Sequence, residues 1–190
     1  AIEQAVAAPF ASARLADAGA NVTKIERPEG DFARGYDDVV KGQSSYFVWL
    51  NRGKTSLTLD LNSDEDKAEL EMRLKTADIL IQNLKPGALA RLGFDSDRLQ
   101  RDYPRLIICS ISGFGGNGPM AERKAYDLLI QAESGLCSIT GGPSEPSRVG
   151  ISIVDIASGA TAYSAILEAL IRRGVTGKGA DISVSMFGVM

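Results

Sequence analysis

Apolar and polar residues alternate along this chain in short blocks that switch repeatedly between the repeat of a strand and that of a helix. Residues 55–61, for example, place Leu57, Leu59 and Leu61 on one face, which is the two-residue repeat of a half-buried strand. The same patterns predict five strands, over residues 21–26, 55–61, 77–83, 105–112 and 181–186.

Helical periodicity fills the intervals between these strands. One apolar stripe stops at Gly19, and Ser63 with Asp66 resembles the capping box that begins a helix. Helices are predicted up to Gly19, from Ser63 to Thr76, over 86–93 and over 154–174, with a polar loop over 31–45. Strands that alternate with helices predict an α/β fold with a mainly parallel sheet.

The composition is that of one ordinary globular domain. The chain has 190 residues, 44% hydrophobic and 24% charged, and a formal net charge of −3, which disfavours general nucleic-acid binding. Two cysteines without a CxxC pair, and no histidine, predict a reducing, cytoplasmic location and no metal site. No uninterrupted apolar run reaches membrane-spanning length, so no membrane segment is expected. The chain starts without Met and stops within an apolar stretch, which favours a piece of a longer protein.

The stretch "GFGGNG" (113–118) matches the G-x-G-x-x-G pattern of dinucleotide-binding folds. Pro119 follows it at once, and no acidic residue ends a second strand about 20 residues later, as that fingerprint requires. We therefore expect a flexible turn here and no nicotinamide cofactor.

Asp155 is the candidate nucleophile. Serine and cysteine nucleophiles normally need an adjacent base, most often histidine, which this chain lacks, and Cys109 is best explained as a buried core thiol. Asp155 interrupts the apolar stretch "VGISIVDIASG" (149–159), which is expected to enter the interior. A carboxylate at this predicted strand-to-helix junction fits two roles, a helix N-cap or a catalytic group.

Basic residues near the ends of the predicted elements are Lys24, Arg27, Arg91 and Lys124. A solvated surface explains each of them. They also fit a phosphate-binding set, because ligands of α/β sheets bind at the carboxyl ends of the strands.

Six ordered stretches resemble the class III CoA-transferases over essentially the whole chain. They are "QAVAAPFASARLADAGANVTKIERPEGDFAR", "NRGKTSLTLDL", "ADILIQNLKPGALARLGFD", "LIICSISGFGGNGP", "AYDLLIQAESGL" and "VGISIVDIASG". The resemblance implies a Rossmann-like large domain within a chain about twice as long. Residues 1–190 would form the N-terminal part of this CoA-binding domain, without its first strand and without the C-terminal half. It also implies an interlocked homodimer.

The resemblance assigns Asp155 as the nucleophile that forms an aspartyl anhydride and then an aspartyl-CoA thioester. Arg27 would lie at the adenosine-phosphate end of CoA, and Asn62 stands where the family often has Lys or Arg, which weakens an ionic contact there. The implied contacts with CoA are Val6, Ala7, Arg27, Leu59, Asn62, Asn83, Leu84, Lys85, Arg91, Lys124, Tyr126 and Asp127.

Two other functions fit parts of the same pattern. An α-methylacyl-CoA racemase shares the implied fold but uses a histidine base where this chain has Tyr126, and tyrosine, with a pKa near 10, is a poor base at neutral pH. A non-catalytic acyl-CoA-binding paralogue would keep the basic residues without needing Asp155. Acyl-CoA and a carboxylic acid are the implied substrates, with short dicarboxylates as the expected acceptors.

Overall fold

The fold is built on parallel strands, as the alternation of elements predicts. The computed structural model describes residues 1–190. Its strands are β1 (Val22–Glu26), β2 (Lys54–Thr58), β3 (Ile79–Gln82), β4 (Ile107–Ser112) and β5 (Ala180–Ser185). β1 pairs with β2, β3 with β4 and β4 with β5, all in parallel.

Ile2 joins the two groups of strands into one sheet. It forms parallel bridges to Ile25 on β1 and to Gln82 on β3, so Ile2 lies between these two strands in the sheet. With this segment counted first, the spatial order is 3-2-1-4-5-6, the order of doubly wound nucleotide-binding sheets. The Rossmann-like fold is confirmed.

Helices cover both faces of the sheet, as a parallel sheet requires. They are α1 (Ala7–Asp17), α2 (Ser45–Asn51), α3 (Asp64–Leu74), α4 (Ala88–Arg91), α5 (Ser96–Asp102), α6 (Asp127–Glu133), α7 (Leu136–Thr140), α8 (Ile153–Thr176) and α9 (Met186–Val189). One core cluster packs α1 and α8 on the sheet, and a second lies under α3, α4 and α5. Cys109 on β4 is fully buried, as predicted, and burial raises the pKa of its thiol to about 12.

Three local predictions need correction. The predicted loop over 31–45 contains a short 3-10 helix, Phe32–Gly35, and α2 follows it. Ser63 caps α3 by accepting from Asp66 N, but the Asp66 carboxylate accepts from Asp60 N instead of returning to Ser63, so the capping box is half formed. α8 continues through Gly174, around which space is open, and ends at Gly177, whose φ of 72° suits a helix C-terminus.

α8 is long and apolar enough, by length and composition alone, to cross a membrane, which the sequence analysis did not anticipate. The core helices of soluble proteins pass the same test. Val154, Ala162 and Ile166 of α8 are fully buried in the cluster that also holds α1 and the sheet, whereas Ile171 and Val175 near its end are exposed. The buried face of α8 is therefore covered by the protein itself.

Candidate active site

The predicted site residues follow the carboxyl ends of the strands. Arg27 comes directly after β1, Leu59 after β2 and Asn83 after β3. The strand order reverses between the Ile2 segment and β3, and open α/β sheets bind ligands in the crevice at such a reversal. The loop after Ile2 and the turn after β3 border that crevice.

A pocket of about 190 Å³ lies at this end of the sheet. It brings together four predicted CoA contacts, namely Arg27, Leu59, Asn62 and Leu84. Leu59 is buried, whereas Arg27 and Asn62 are exposed. The Arg27 guanidinium touches only the Gly30 carbonyl oxygen and, at 3.7 Å, the exposed Glu29 carboxylate, so it stays available to a ligand.

Three acidic residues of this pocket are paired with basic side chains of the chain itself, whereas Asp60 forms no ion pair. The Asp31 carboxylate pairs with Lys24 Nζ at 2.7 Å, and Glu3 pairs with Lys54 Nζ at 2.7 Å. Arg34 likewise pairs with Glu26. Burial alone would raise the pKa of Glu26, but hydrogen bonds from Arg34, Ser56 and the Asp31 amide outweigh it and lower that pKa to about 2.

Lys24 is neither a solvated surface residue nor a phosphate ligand. Its side chain is 1% exposed, and its ammonium faces Asp31 at 2.7 Å and Glu3 at 4.0 Å. Lys54 completes this buried cluster beneath the loop that follows Ile2. An ion pair this deep needs complete pairing, since an unpaired buried charge is costly.

The loop that follows Ile2 is fixed at two points. The Asn83 side chain accepts from Gln4 N at 3.0 Å and donates to Gln4 O at 2.8 Å. Ala5 has φ of 63°, a left-handed conformation that costs a non-glycine residue free energy, and Asp31 Oδ1 accepts from Ala5 N at 3.0 Å. Asn83 thus uses its amide to hold the loop, and its own contact with CoA stays a prediction.

Val6 and Ala7 carry this loop from the pocket to α8. Both are buried, and a contact of either residue with CoA stays a prediction. A Cβ added at Gly159 would lie 2.5 Å from the Ala7 carbonyl oxygen and 2.9 Å from Phe10 Cβ. Glycine is therefore required where α1 and α8 meet, one turn beyond Asp155.

Asp155 is not the N-cap of α8. The cap position belongs to Ser152, Asp155 is the third residue of the helix, and no hydrogen bond links its carboxyl to the chain. The residues before α8 form no strand, and Ile151 is 54% exposed, so the predicted strand and the burial of Ile151 are both wrong.

Asp127 supplies the cap that Asp155 does not. Asp127 Oδ1 accepts from Val154 N at 2.8 Å and from Asp155 N at 3.2 Å, and its Oδ2 accepts from Gln131 Nε2 at 2.6 Å. Both oxygens of Asp127 are thus used inside the chain, and a contact of this side chain with CoA stays a prediction. Burial first, and the Asp127 charge second, raise the pKa of Asp155 to about 7.

Asp155 is therefore a half-buried, partly desolvated carboxyl that accepts no hydrogen bond from the chain, and its main-chain N–H donates to Asp127 Oδ1. Near neutral pH it exchanges between the acid and the carboxylate. Burial raises the pKa of Tyr36 to about 12, and the nearby charges of Asp31 and Asp155 contribute to this rise.

The other predicted contacts lie on the surface. Lys85, Arg91, Lys124 and Tyr126 are exposed, and Tyr126 directly precedes α6 and Asp127. Gly113, the first glycine of "GFGGNG", allows the chain before Tyr126 to pack against the end of β4, because a Cβ there would meet Ala125 Cβ at 1.9 Å. The glycine-rich stretch is a turn, as expected.

Sequence reasoning missed Gln131, Asp31 and Tyr36. Gln131 lies four residues after Asp127, a spacing that places both side chains on one helix face, so their contact could have been predicted from the sequence. Asp31 and Tyr36 fall in the stretch that was predicted as a plain polar loop.

Comparison with known proteins places these features in a family. The chain matches CoA-transferase family III over residues 1–190. An acetyl-CoA:oxalate CoA-transferase of Acetobacter aceti is 45% identical over 182 residues, which cover 94% of this chain and 47% of that protein. A succinate–glutarate CoA-transferase of Agrobacterium fabrum is 38% identical over 197 residues, 99% of this chain and 49% of that protein.

Solved structures agree with this assignment. A CAIB/BAIF family protein from Brucella suis superposes with a TM-score of 0.93 at 39% identity, over 99% of this chain and 51% of that one. Protein Rv3272 of Mycobacterium tuberculosis superposes with a TM-score of 0.91 at 36% identity, over 99% of this chain and 53% of that one.

The fold and the matches define a doubly wound α/β domain of the class III CoA-transferase type. The chain belongs to CoA-transferase family III, and it spans about half the length of the curated relatives it matches.

Proposed function

We propose that the full-length protein transfers CoA from an acyl-CoA thioester to a carboxylic acid, with Asp155 as the nucleophile. The observation that carries this proposal is the state of Asp155, a desolvated carboxyl with no hydrogen bond of its own at the start of α8. A carboxylate freed from solvent and donors is a stronger nucleophile than one in water, and carboxylates form covalent intermediates in group transfer.

The proposed chemistry balances without water or a net proton. An Asp155 carboxylate oxygen attacks the thioester carbonyl, the C–S bond breaks, and CoA leaves as a thiolate while an aspartyl mixed anhydride forms. The thiolate attacks Asp155 Cγ, the anhydride C–O bond breaks, the donor acid leaves, and an aspartyl-CoA thioester remains. The acceptor carboxylate then attacks Cγ and releases the thiolate. The thiolate then attacks the acceptor's carbonyl carbon in this second anhydride. The anhydride C–O bond breaks, the acceptor leaves as its CoA thioester, and the Asp155 carboxylate is restored.

The placement of the other residues supports a path for CoA along the carboxyl end of the sheet. Arg27 would hold a phosphate in the 190 Å³ pocket, where the carboxylates of Asp31 and Glu26 are already paired. The loop over residues 4–7 leads from that pocket, where Asn83 holds Gln4, to the Ala7–Gly159 contact beside α8. The pantetheine arm would follow this loop so that its thioester reaches Asp155.

The names of the relatives support a short dicarboxylic acid as the acceptor, since they refer to oxalate, succinate and glutarate. We propose this substrate class for the full-length protein, acting in the cytoplasm as the interlocked homodimer that the resemblance implies. Light scattering of the full-length protein tests the assembly, for which a monomer is the contrary result.

The racemase alternative predicts a different outcome with the same substrates. A racemase exchanges the hydrogen at the α-carbon, and Tyr126 replaces the histidine that would do so. We expect no deuterium at the α-carbon after incubation of a 2-methylacyl-CoA with the full-length protein in deuterated water. Rapid uptake would favour the racemase.

A substrate screen tests the transfer itself. The full-length protein is incubated with succinyl-CoA and a panel of carboxylic acids, and new CoA thioesters are identified by mass spectrometry. We expect a new thioester with at least one short dicarboxylate and none with Asp155→Ala. Binding of succinyl-CoA without exchange to any acid would instead favour the non-catalytic paralogue.

A further inference from the structure

Gln131 on α6 is fully buried, and both polar ends of its side chain are bonded. Its Nε2 donates to Asp127 Oδ2 at 2.6 Å, and its Oε1 accepts from Val149 N at 2.8 Å. From these contacts we propose that Gln131 is a positioning residue, which fixes where the first turn of α8 presents the Asp155 carboxyl. The inference rests on the proposed role of Asp155 as the nucleophile.

The segment before Asp155 is held to α6 at both of its ends. Gln131 binds Val149 N at the beginning, and Asp127 binds Val154 N and Asp155 N at the end. Between these two points, residues 150–152 have no regular structure, and α8 begins at Ile153. One buried amide therefore restrains the whole segment, directly at Val149 and through Asp127 at Asp155.

Only an amide satisfies both contacts at neutral pH. The Asp127 carboxylate needs a donor, and Val149 N needs an acceptor. Methionine is similar in size to glutamine but supplies neither, which leaves two polar groups unpartnered. A glutamate supplies both while it is protonated, but once ionised it places a second negative charge against Asp127.

The titratable groups that interact with Asp155 are Asp127 and Tyr36, and Tyr36 in turn interacts with Tyr126. Desolvation is the larger cause of the raised Asp155 pKa. Loosening the segment admits water to the carboxyl, so the titration midpoint of Asp155 should move down, toward its ordinary value of 3.8. A purely structural role for Gln131 would lower stability without moving this midpoint.

The test compares Gln131→Met with Ile130→Val in the full-length protein. Ile130 is the fully buried neighbour on the same helix, and its variant removes a methyl group without touching the hydrogen bonds. For Gln131→Met we expect kcat to fall about tenfold or more, because small displacements of a reacting group are costly, with the KM for acyl-CoA within about twofold. In protein labelled with ¹³C-aspartate, the Asp155 midpoint should fall by about one pH unit or more. Ile130→Val should keep the wild-type kcat and midpoint.

A second variant, Gln131→Glu, provides an independent readout. Its activity relative to the wild type should be highest at acidic pH, where the protonated carboxyl makes both contacts, and should fall as that carboxyl ionises. A wild-type kcat and midpoint in Gln131→Met, or equal losses in Ile130→Val, would overturn the positioning role. If Asp155→Ala retains activity, the proposed function fails instead, and the NMR midpoint still reports whether Gln131 acts on Asp155.

Discussion

Replacing Asp155 by asparagine should make the protein more stable at alkaline pH. The pKa of Asp155 rises from 3.8 to about 7 on folding, first through burial and second through Asp127. Between these two values the folded state holds a proton that the unfolded state has lost, so the free energy of unfolding decreases as pH rises through this window. Asparagine keeps the shape of the side chain and carries no charge at any pH.

The size of the effect follows from the two pKa values. At about 1.4 kcal/mol per pKa unit, the rise of the Asp155 pKa corresponds to about 4 kcal/mol as an upper limit. Because the residue is half-buried and water screens part of this penalty, we expect Asp155→Asn to gain about 2–3 kcal/mol at pH 8. The gain should shrink from pH 7 downward and vanish below about pH 4.

Denaturant unfolding of the full-length protein at a series of pH values measures this gain. Asp64→Asn is the matched control, because the Asp64 side chain is fully exposed and faces only Lys67 at 3.5 Å. Its stability should stay within about 0.5 kcal/mol of the wild type at every pH. An Asp155→Asn variant that is no more stable than the wild type at pH 8, or whose gain in stability does not change with pH, would refute the claim that folding raises the pKa of Asp155.

Three further predictions, one of them with a control substitution, test other parts of the site. In thermal unfolding, Gly159→Ala should cost about 1–3 kcal/mol, and it should reduce transfer, because the added Cβ would overlap the Ala7 carbonyl oxygen. Gly174→Ala, in open space on the same helix, should instead gain about 0.5–1 kcal/mol. Equal effects of the two variants would contradict the close approach of α1 to α8 at Gly159. Lys24→Met should cost about 3–5 kcal/mol by denaturant unfolding, since it leaves Asp31 buried and unpaired, and a loss below about 1 kcal/mol would contradict the buried pair. Arg27→Ala should raise the KM for acyl-CoA about tenfold, and less for a dephospho-CoA thioester, in steady-state kinetics; equal rises would show that Arg27 does not bind the 3′-phosphate.

The architecture of the sheet is predictable because each strand carries its own local signal. A short apolar run bounded by turn residues predicts β4 and β3 without knowledge of their neighbours. The end of α8 is less visible in the sequence. Gly174 looks like a helix stop, but open space around it lets the helix continue to Gly177, where the left-handed conformation is needed.

The sequence points to Asp155 as a candidate but does not show the contacts that surround it. Asp155 stands out as a carboxylate among apolar residues, but its cap comes from Asp127, 28 residues earlier in the chain. Lys24 looks like a surface lysine because nothing in the local pattern shows that Asp31 and Glu3 will enclose it. Contacts between distant segments decide whether a charge is buried, and a single sequence carries little sign of them.

Covalent trapping of the nucleophile tests the central claim most directly. The full-length protein is incubated with acyl-CoA, the intermediate is captured with hydroxylamine or borohydride, and the peptides are mapped by mass spectrometry. The proposed function predicts that the modification lies on Asp155, within residues 149–159, and that Asp155→Ala shows neither adduct nor transfer. A modification on another residue, or full activity of Asp155→Ala, would contradict it.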